Sequence, residues 1–487
     1  MGPDYDPPEV EKPDAWRVDY EGAADVSNIR WWEQFDDPVL NELIDAALKE
    51  NWDVRIAAAR MEEFAARVDM ARSEFFPQLG YSLGGNRTHI SLDAGDSGAF
   101  DDRTFTNYNM QGQFNWELDL WGRIRRSNEA ARADLLAQEE NRRSVILSLV
   151  SAVARTYVVL RQLDRQLEVA KETLEVRAES LRLFELKFRG GVVSELEVAQ
   201  IRTNYEQSAA AIPPIERDIE LAENALSVLL GRNPDNIPRG KTIDELILPT
   251  VPEGLPSTLL IRRPDIRSAE QTLISANARI GVARAQYFPT ISLTGFLGYT
   301  SDSLSGLFGD ASKLWRIGGS AMGPIFAGGG ISAQVRASEA VQRQALLSYL
   351  QTVQMAFREV NDSLISVQKS REQLVVQGRR VQSLSDYARM AELRYDGGYA
   401  SYIEVLDAER FLFDAELQYV QLQGEVYASL VNTYKAMGGG WILDAQTTAD
   451  EVDFPQTDES KQPFWHLPKE TPPQGKDNQV GYQSETP

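Results

Sequence analysis

A long internal duplication is the feature that most limits what this chain can fold into. The stretch Leu393 to Arg410, LRYDGGYASYIEVLDAER, is echoed 207 positions earlier by LKFRGGVVSELEVAQIRT, Leu186 to Thr203. Each copy turns at a glycine pair, Gly190–Gly191 and Gly397–Gly398, with long helical patterns on both sides. Glycine supplies the positive φ that ends a helix and reverses the chain, so both copies read as tips of helical hairpins. The register holds well upstream of the glycines. Val353, Phe357, Val360, Leu364, Val367, Leu374, Val381, Leu384, Ala388, Ala391 and Tyr395 fall on Ile146, Val150, Val153, Tyr157, Leu160, Leu167, Leu174, Arg177, Leu181, Phe184 and Phe188. Arg177 is the one charged member. Apolar steps of three, four and seven mark helices that pack along their whole length.

Taken in order, residues 1–37 read as an extended, Pro- and acid-rich arm. Pro38 to about Ser73 reads as a helix, ended by Phe75-Phe76-Pro77. Strand signals follow at about 78–92 and 106–120. In the second, Tyr108, Met110, Gly112, Phe114, Trp116, Leu118 and Leu120 alternate with a wholly polar set that includes Gln111 and Gln113. Period two with one apolar and one polar face fits a soluble sandwich strand in water, or a membrane-barrel strand between lipid and a lumen. A helix over 127–188, the first tip, and a return helix to Leu230 complete a first repeat, 38–231. Pro213-Pro214 is expected to kink or break that return helix. A Pro-containing linker spans 232–256. The second repeat, 257–441, restarts with a helix, Tyr287-Phe288-Pro289, strands at about 290–300 and 314–326, a helix over 331–395, the second tip and a last helix to Met437. Residues 442–487 read as a polar tail.

Four strands cannot close a membrane barrel, which needs about eight. Exposed edges carrying Phe114 and Trp116 would aggregate. Cyclic assembly resolves this, and three chains giving twelve strands are favoured over two if the polar face is to line a channel. The fold class expected is therefore α + β, a shared β-barrel continued by long coiled-coil hairpins. No run of about eighteen apolar residues predicts a membrane-spanning helix.

Composition narrows function by exclusion. Lys+Arg is 50 against Asp+Glu 72, a net charge of −22, which argues against nucleic acid as a partner. There is no Cys and there are two His, His89 and His466, so thiol catalysis and Cys/His zinc sites are not expected, and no cofactor or metal is. Gly328-Gly329-Gly330 and Gly438-Gly439-Gly440 lack the Lys-Ser/Thr of a phosphate loop. No Ser sits in a nucleophile-elbow context, so an enzyme is not expected. A membrane channel and a soluble coiled-coil scaffold with small β modules remain. Need for detergent and a stable oligomer would separate them.

Several motifs carry a resemblance over nearly the whole chain to Trp441: GPDYDPP (Gly2 to Pro8), WELDLWGR (Trp116 to Arg123), GLPSTLLIRRPDIRSAE (Gly254 to Glu270), ANARIGVARAQYFPTISLT (Ala276 to Thr294), YIEVLDAER (Tyr402 to Arg410) and GGGW (Gly438 to Trp441). The chain resembles the TolC and OprM-like outer membrane efflux proteins, in their NodT-type lipoprotein branch. The resemblance implies a homotrimer whose outer-membrane barrel stands on a periplasmic helical barrel. It implies passive export of drugs or other small compounds from an inner-membrane pump, of the RND type, through a periplasmic adaptor. It also implies closure at the periplasmic tips. There Asp407 matches an acidic constriction residue, Glu404 a variably acidic position, and Tyr395 and Glu197 positions that link neighbouring tip helices. Ala400 stands where a well-known member carries a gate-linking Arg, which puts that link in question. The glycine pairs would dock the adaptor, and Tyr108, Met110, Phe114, Trp116 and Leu118 would face lipid, with Phe114 near mid-membrane. Met1 stands where the branch carries a lipidated Cys, so a native lipid anchor is an expectation of the resemblance alone.

Overall fold

A computed structural model of the chain describes residues 1–11, 13, 15–17, 30–89, 104–251, 256–438 and 441–450. Residues 90–92 of the first strand expectation, 252–255 of the linker and 451–487 of the tail, with His466, lie outside the described residues.

The duplication is visible as matched elements. After α1 (Pro38–Glu50) and α2 (Trp52–Ser73) come β1 (Gln78–His89), β2 (Thr104–Leu118), α3 (Arg123–Arg189) and α4 (Glu195–Leu229). The second set is α5 (Pro256–Arg262), α6 (Pro264–Ala285), β3 (Thr290–Ser301), β4 (Lys313–Met322), α7 (Gly330–Asp396) and α8 (Tyr402–Met437), followed by α9 (Ile442–Asp450). Helices α3 and α7 are both 67 residues long, and each starts after a left-handed glycine, Gly122 at φ 79° and Gly329 at φ 81°. At ~1.5 Å per residue each is roughly 100 Å long, far beyond the span of an ordinary globular core.

The four strands form one antiparallel sheet in the order β1-β2-β3-β4. Its register extends the apolar face of β2 onto the neighbouring strands. Directly paired residues share a face, so Leu79–Phe114–Gly295–Ile317 and Leu83–Met110–Tyr299–Lys313 are rows on the same side. Gly112–Leu297–Trp315 lies between them. The opposite face carries Gln111, Gln113, Asn115, Ser292, Thr294 and Arg316, with Phe296 and Leu314 as apolar members. Within the chain both faces are open: Leu79, Tyr81, Leu297 and Trp315 are each more than two-thirds exposed. Leu120 lies past the end of β2 and is not part of its apolar face.

Beneath the sheet the helices stack in the order α2-α3-α6-α7, with α4 against α3 and α8 against α7. The main core lies where the middle of α3 meets the elements packed beside the wall, α1, α4, α8 and α9. There Trp31 and Trp441 are fully buried, and Trp31 stacks on Tyr434 at 5.0 Å between ring centres.

Several expectations need correction. The arm is not coreless throughout: Trp31–Phe35 form a short 3-10 helix whose Trp31, Trp32 and Phe35 are buried, because three large aromatics so close together gain more from the core than from water. The tail begins later than 442. Helix α9 packs on α1 and α3, with Ala445 and Ala449 buried, an ion pair between Arg142 and Asp450, and an Arg143–Gln446 hydrogen bond of 3.2 Å. The helix predicted over 38–73 is two helices, divided at Asn51, whose side chain caps α2 by accepting from the Asp53 and Val54 amides. The helix expected from 257 is likewise divided, at Arg263 before Pro264. Pro213 and Pro214 do not break α4, which runs through them. Proline already holds helical φ, and Ala211, Ile212 and Ile215 beside it pack on the cluster around Phe413.

One buried carboxylate joins arm, wall and linker. Asp37, fully buried, caps α1 through the Val39 amide (2.9 Å), and accepts from the Tyr157 hydroxyl (2.7 Å) and the Lys241 amide (3.1 Å). Tyr157 in turn accepts from the Gly240 amide at 3.0 Å. Burial, reinforced by the Asp37 hydrogen bond, pushes the Tyr157 phenol well above its usual range. Asp37→Ala removes the cap and leaves the buried Tyr157 hydroxyl and the half-buried Lys241 amide without their acceptor, so it is expected to cost about 3 kcal/mol. Thermal unfolding with unchanged oligomer size at low temperature is the measurement.

Candidate functional site: the paired helical tips

The two tips are built by the same hydrogen bonds. At the end of α3, Gly191 N–H bonds the Phe188 carbonyl (2.9 Å) and Val192 N–H the Lys187 carbonyl (2.9 Å). At the end of α7, Gly398 N–H bonds the Tyr395 carbonyl (2.9 Å) and Tyr399 N–H the Arg394 carbonyl (2.8 Å). The second glycine of each pair is left-handed, Gly191 at φ 69° and Gly398 at φ 76°. The first is helical, and an added Cβ at Gly190 would meet only ordinary contacts. Gly191→Ala and Gly398→Ala are therefore each expected to destabilise their tip by about 1–2 kcal/mol, and Gly190→Ala to be nearly neutral. Amide hydrogen exchange at residues 186–200 and 393–407 should show faster opening only for the first two.

The tips lie side by side within one chain. Phe184, Val198 and Ile201 of the first hairpin share a buried cluster with Ala391, Tyr402, Val405, Leu406 and Ala408 of the second. Tyr395 belongs to this seam: its ring lies 4.8 Å from Tyr402 and 6.2 Å from Phe184. Burial raises its phenol pKa, with the Glu197 and Asp396 charges adding. Burial also pushes Tyr402 up to about 12, helped by the charge of Glu409.

Glu197 has a local role the sequence reading did not assign. It completes a capping box at the start of α4: Ser194 N–H bonds its carboxylate at 2.7 Å, and Glu197 N–H bonds the Ser194 hydroxyl at 3.3 Å. Ser-x-x-Glu directly after the glycine turn was the available signal.

Glu404 and Asp407 each have an arginine partner in the same chain. Arg394 Nη1 lies 3.0 Å from Glu404 Oε1, and its other nitrogen donates to the Tyr399 carbonyl at 3.5 Å. Arg410 Nη2 lies 3.0 Å from Asp407 Oδ1, three residues along α8. The Asp407 side chain is 47% exposed and that of Glu404 32%. Spacing alone could have suggested the Asp407–Arg410 pair; the Arg394–Glu404 pair needs the turn.

Arg177, the charged break in the heptad, is 3% exposed and ties the hairpins together just above the tips. Its Nη1 donates to the Asn204 carbonyl (2.9 Å) and the Ser208 hydroxyl (2.7 Å) on α4, and its Nη2 to the Glu409 carbonyl (3.4 Å) on α8. Asn204 Nδ2 donates to the Leu406 carbonyl at 3.3 Å. Burial lowers the Arg177 pKa, opposed by the Glu409 and Asp414 charges, and burial raises that of Glu409, opposed by Arg177. Sequence reasoning noted Arg177 only as an interruption.

Comparison with known proteins agrees with this anatomy. The family profile "Outer membrane efflux protein" matches residues 43–232 and 255–439, one segment per repeat. The solvent efflux pump outer membrane protein SrpC of Pseudomonas putida is 39% identical over 449 residues, covering 91% of this chain and 95% of that protein. The probable outer membrane lipoprotein SilC of Salmonella typhimurium is 34% identical over 448 residues, with 91% and 95% coverage. The crystal structure of the CmeC outer membrane channel of Campylobacter jejuni superposes with a TM-score of 0.87 at 28% identity, covering 93% of this chain and 98% of that one. Sheet, helical wall, duplicated tips and these matches lead to one conclusion: the chain belongs to the outer membrane efflux protein family and is an outer-membrane channel component of an efflux system.

Proposed function

We propose that three copies of this chain form a duct through which an inner-membrane pump of the RND type, joined by a periplasmic adaptor, expels organic compounds. The observation that carries this reading is the sheet: β2 has one apolar and one polar face, the apolar rows continue onto β1, β3 and β4 through Leu79, Leu297, Trp315 and Ile317, and β1 and β4 are each paired on one side only. Joining β1 of one copy to β4 of the next removes the edges, puts the apolar face in lipid and gives a polar lumen. Tyr108, Met110 and Phe114 then face lipid, Trp116 meets its boundary with Leu118 just past it on the wall side, and the wall helices continue the lumen below.

The duct is closed at rest where the tips converge on the threefold axis. Asp407 is the principal acidic residue of the constriction, because its side chain is the more exposed of the two and its arginine partner lies beside it on a solvated helix face. Glu404 is held back toward its own tip by Arg394 and contributes less. Tyr395 and Glu197 fix the tip seam rather than occlude the pore. The exposed ends around Gly190–Gly191 and Gly397–Gly398, with Val192 and Tyr399 both at least three-quarters exposed, form the adaptor surface.

Relatives named for solvent efflux favour apolar organic cargo. The eight Met are scattered rather than clustered, which offers no soft-metal path. Deletion in the source bacterium, scored against an organic-compound panel and a metal-ion panel, tests this. Hypersensitivity confined to metal ions would overturn the cargo assignment. Failure of the purified protein to conduct in a planar bilayer would overturn the duct itself.

A further inference from the structure

The sheet passes into the helical wall through a collar of aromatics. Trp116 Nε1 donates to the Phe75 carbonyl (2.9 Å) and Trp121 Nε1 to the Pro289 carbonyl (2.8 Å), while Trp121 stacks on Phe288 at 4.7 Å. Indoles with an apolar body and one donor mark the level of a membrane–water interface.

Directly below the collar is a cavity of about 480 Å³ whose lining includes Phe75, Arg125, Asn128, Arg132, Leu136 and Ile274. Two arginines and an amide donor thus gather at one place in a chain of net charge −22. Arg132 is exposed and makes no ion pair among the described residues. Glu129, the one acid on the cavity wall, is taken by Arg126 at 2.7 Å. Arg125 is held by Asp119 through Nε at 3.2 Å, and its side chain is 64% exposed. Asn128 is 5% exposed, and its Nδ2 has no hydrogen-bond partner. A buried donor left unpaired points to something that fills the site, since such groups are otherwise satisfied.

Position supports a membrane-derived occupant. Arg125 and Arg132 lie two and nine residues into α3, roughly 3 and 14 Å along its axis. Side chains on α3 lean toward its N-terminus, which is the membrane end, so both guanidiniums reach upward. Arg125, Arg132, Leu136 and Arg143 lie on one stripe of α3, and Arg143 is covered by α9 through Gln446. A packed helix cannot occupy the duct, so this stripe lies on the outer side of the wall.

We propose that the cavity binds a phosphodiester headgroup, donated by a phospholipid of the leaflet bordering the wall. Arg132 and Arg125 bind the phosphate oxygens, Asn128 Nδ2 supplies the buried donor, and Phe75, Leu136 and Ile274 pack the glycerol backbone. This rests on the outer-membrane reading above. The test is native mass spectrometry of the full-length protein, delipidated in detergent and then titrated with phosphatidylglycerol or, separately, with inorganic phosphate. Wild type should retain phosphatidylglycerol, and Arg132→Gln should weaken retention by roughly tenfold or more. Asn128→Leu should weaken it too; if that variant fails to assemble, the exposed Arg132 decides alone. Undiminished retention by Arg125→Gln/Arg132→Gln would overturn the site. Displacement of the lipid by millimolar phosphate would overturn its lipid source. Planar-bilayer conductance of the same samples separates the outcomes: unchanged conductance with lost lipid supports the site, whereas a wild type that never conducts sinks the duct reading instead.

Discussion

Met110→Lys is expected to destabilise the inserted channel by about 2–4 kcal/mol per protomer, while Gln111→Lys, its neighbour in sequence, should fold normally and change conductance instead. The two side chains point to opposite faces of β2. Met110 is flanked in its row by Leu83 and Tyr299, and Gln111 by Ser82 and Gly298. A lysine between Leu83 and Tyr299, two strands away from the Lys313 that ends this row on β4, is expected to sit in hydrocarbon; one among the second group is expected to meet lumen water. The structure also moves the position of greatest sensitivity. Phe114 was the expected mid-membrane residue, but Trp116, two residues on, is bonded to the Phe75 carbonyl at the base of the sheet. Phe114 therefore lies near the interface, where the penalty for lysine falls to about 1 kcal/mol. Met110 lies near the middle of β2, Thr104–Leu118. Urea unfolding from vesicles ranks the variants, and equal damage from Met110→Lys and Gln111→Lys would remove the barrel assignment.

Millimolar Ca²⁺ or Mg²⁺ on the periplasmic side is expected to block the channel, and Asp407→Ala should abolish most of that block, reduce cation selectivity and raise basal current. Three carboxylates around one axis bind divalent cations and repel one another. Each has its own Arg410 at 3.0 Å, but both side chains are over 40% exposed, so the pairing is worth little and leaves the carboxylate available to a divalent ion. Arg410→Ala should consequently strengthen the block, the opposite sign from Asp407→Ala. Glu404→Ala should have a smaller effect than Asp407→Ala, because Arg394 draws Glu404 toward the Tyr399 turn. A channel that keeps its block and selectivity in the Asp407→Ala/Glu404→Ala double variant places the constriction elsewhere.

Periodicity and duplication were legible in the sequence because they are local or self-referential. A helix repeats every 3.6 residues and a strand every two, whatever surrounds them, so α3, α7 and the two-faced β2 could be read directly. The 207-residue register needed only the chain compared with itself, and both glycine turns followed from the one residue that tolerates positive φ. What the tertiary structure decided was every pairing between distant segments. Trp31, from the region that reads as an arm, and Trp441, the last residue of the second repeat, reach one core, since apolar residues in short, irregular segments have no period to betray them. Asn51 and Pro264 divide helices whose apolar patterns run on. Arg177 changes from an interruption to a tie because its acceptors lie on α4 and α8, far along the chain. Asp407 and Glu404 were singled out through the resemblance of YIEVLDAER, but the Arg394–Glu404 pair exists only once the Gly397–Gly398 turn folds α8 back on α7. Contact between residues distant in sequence is set by topology and packing, and a one-dimensional pattern carries no record of it.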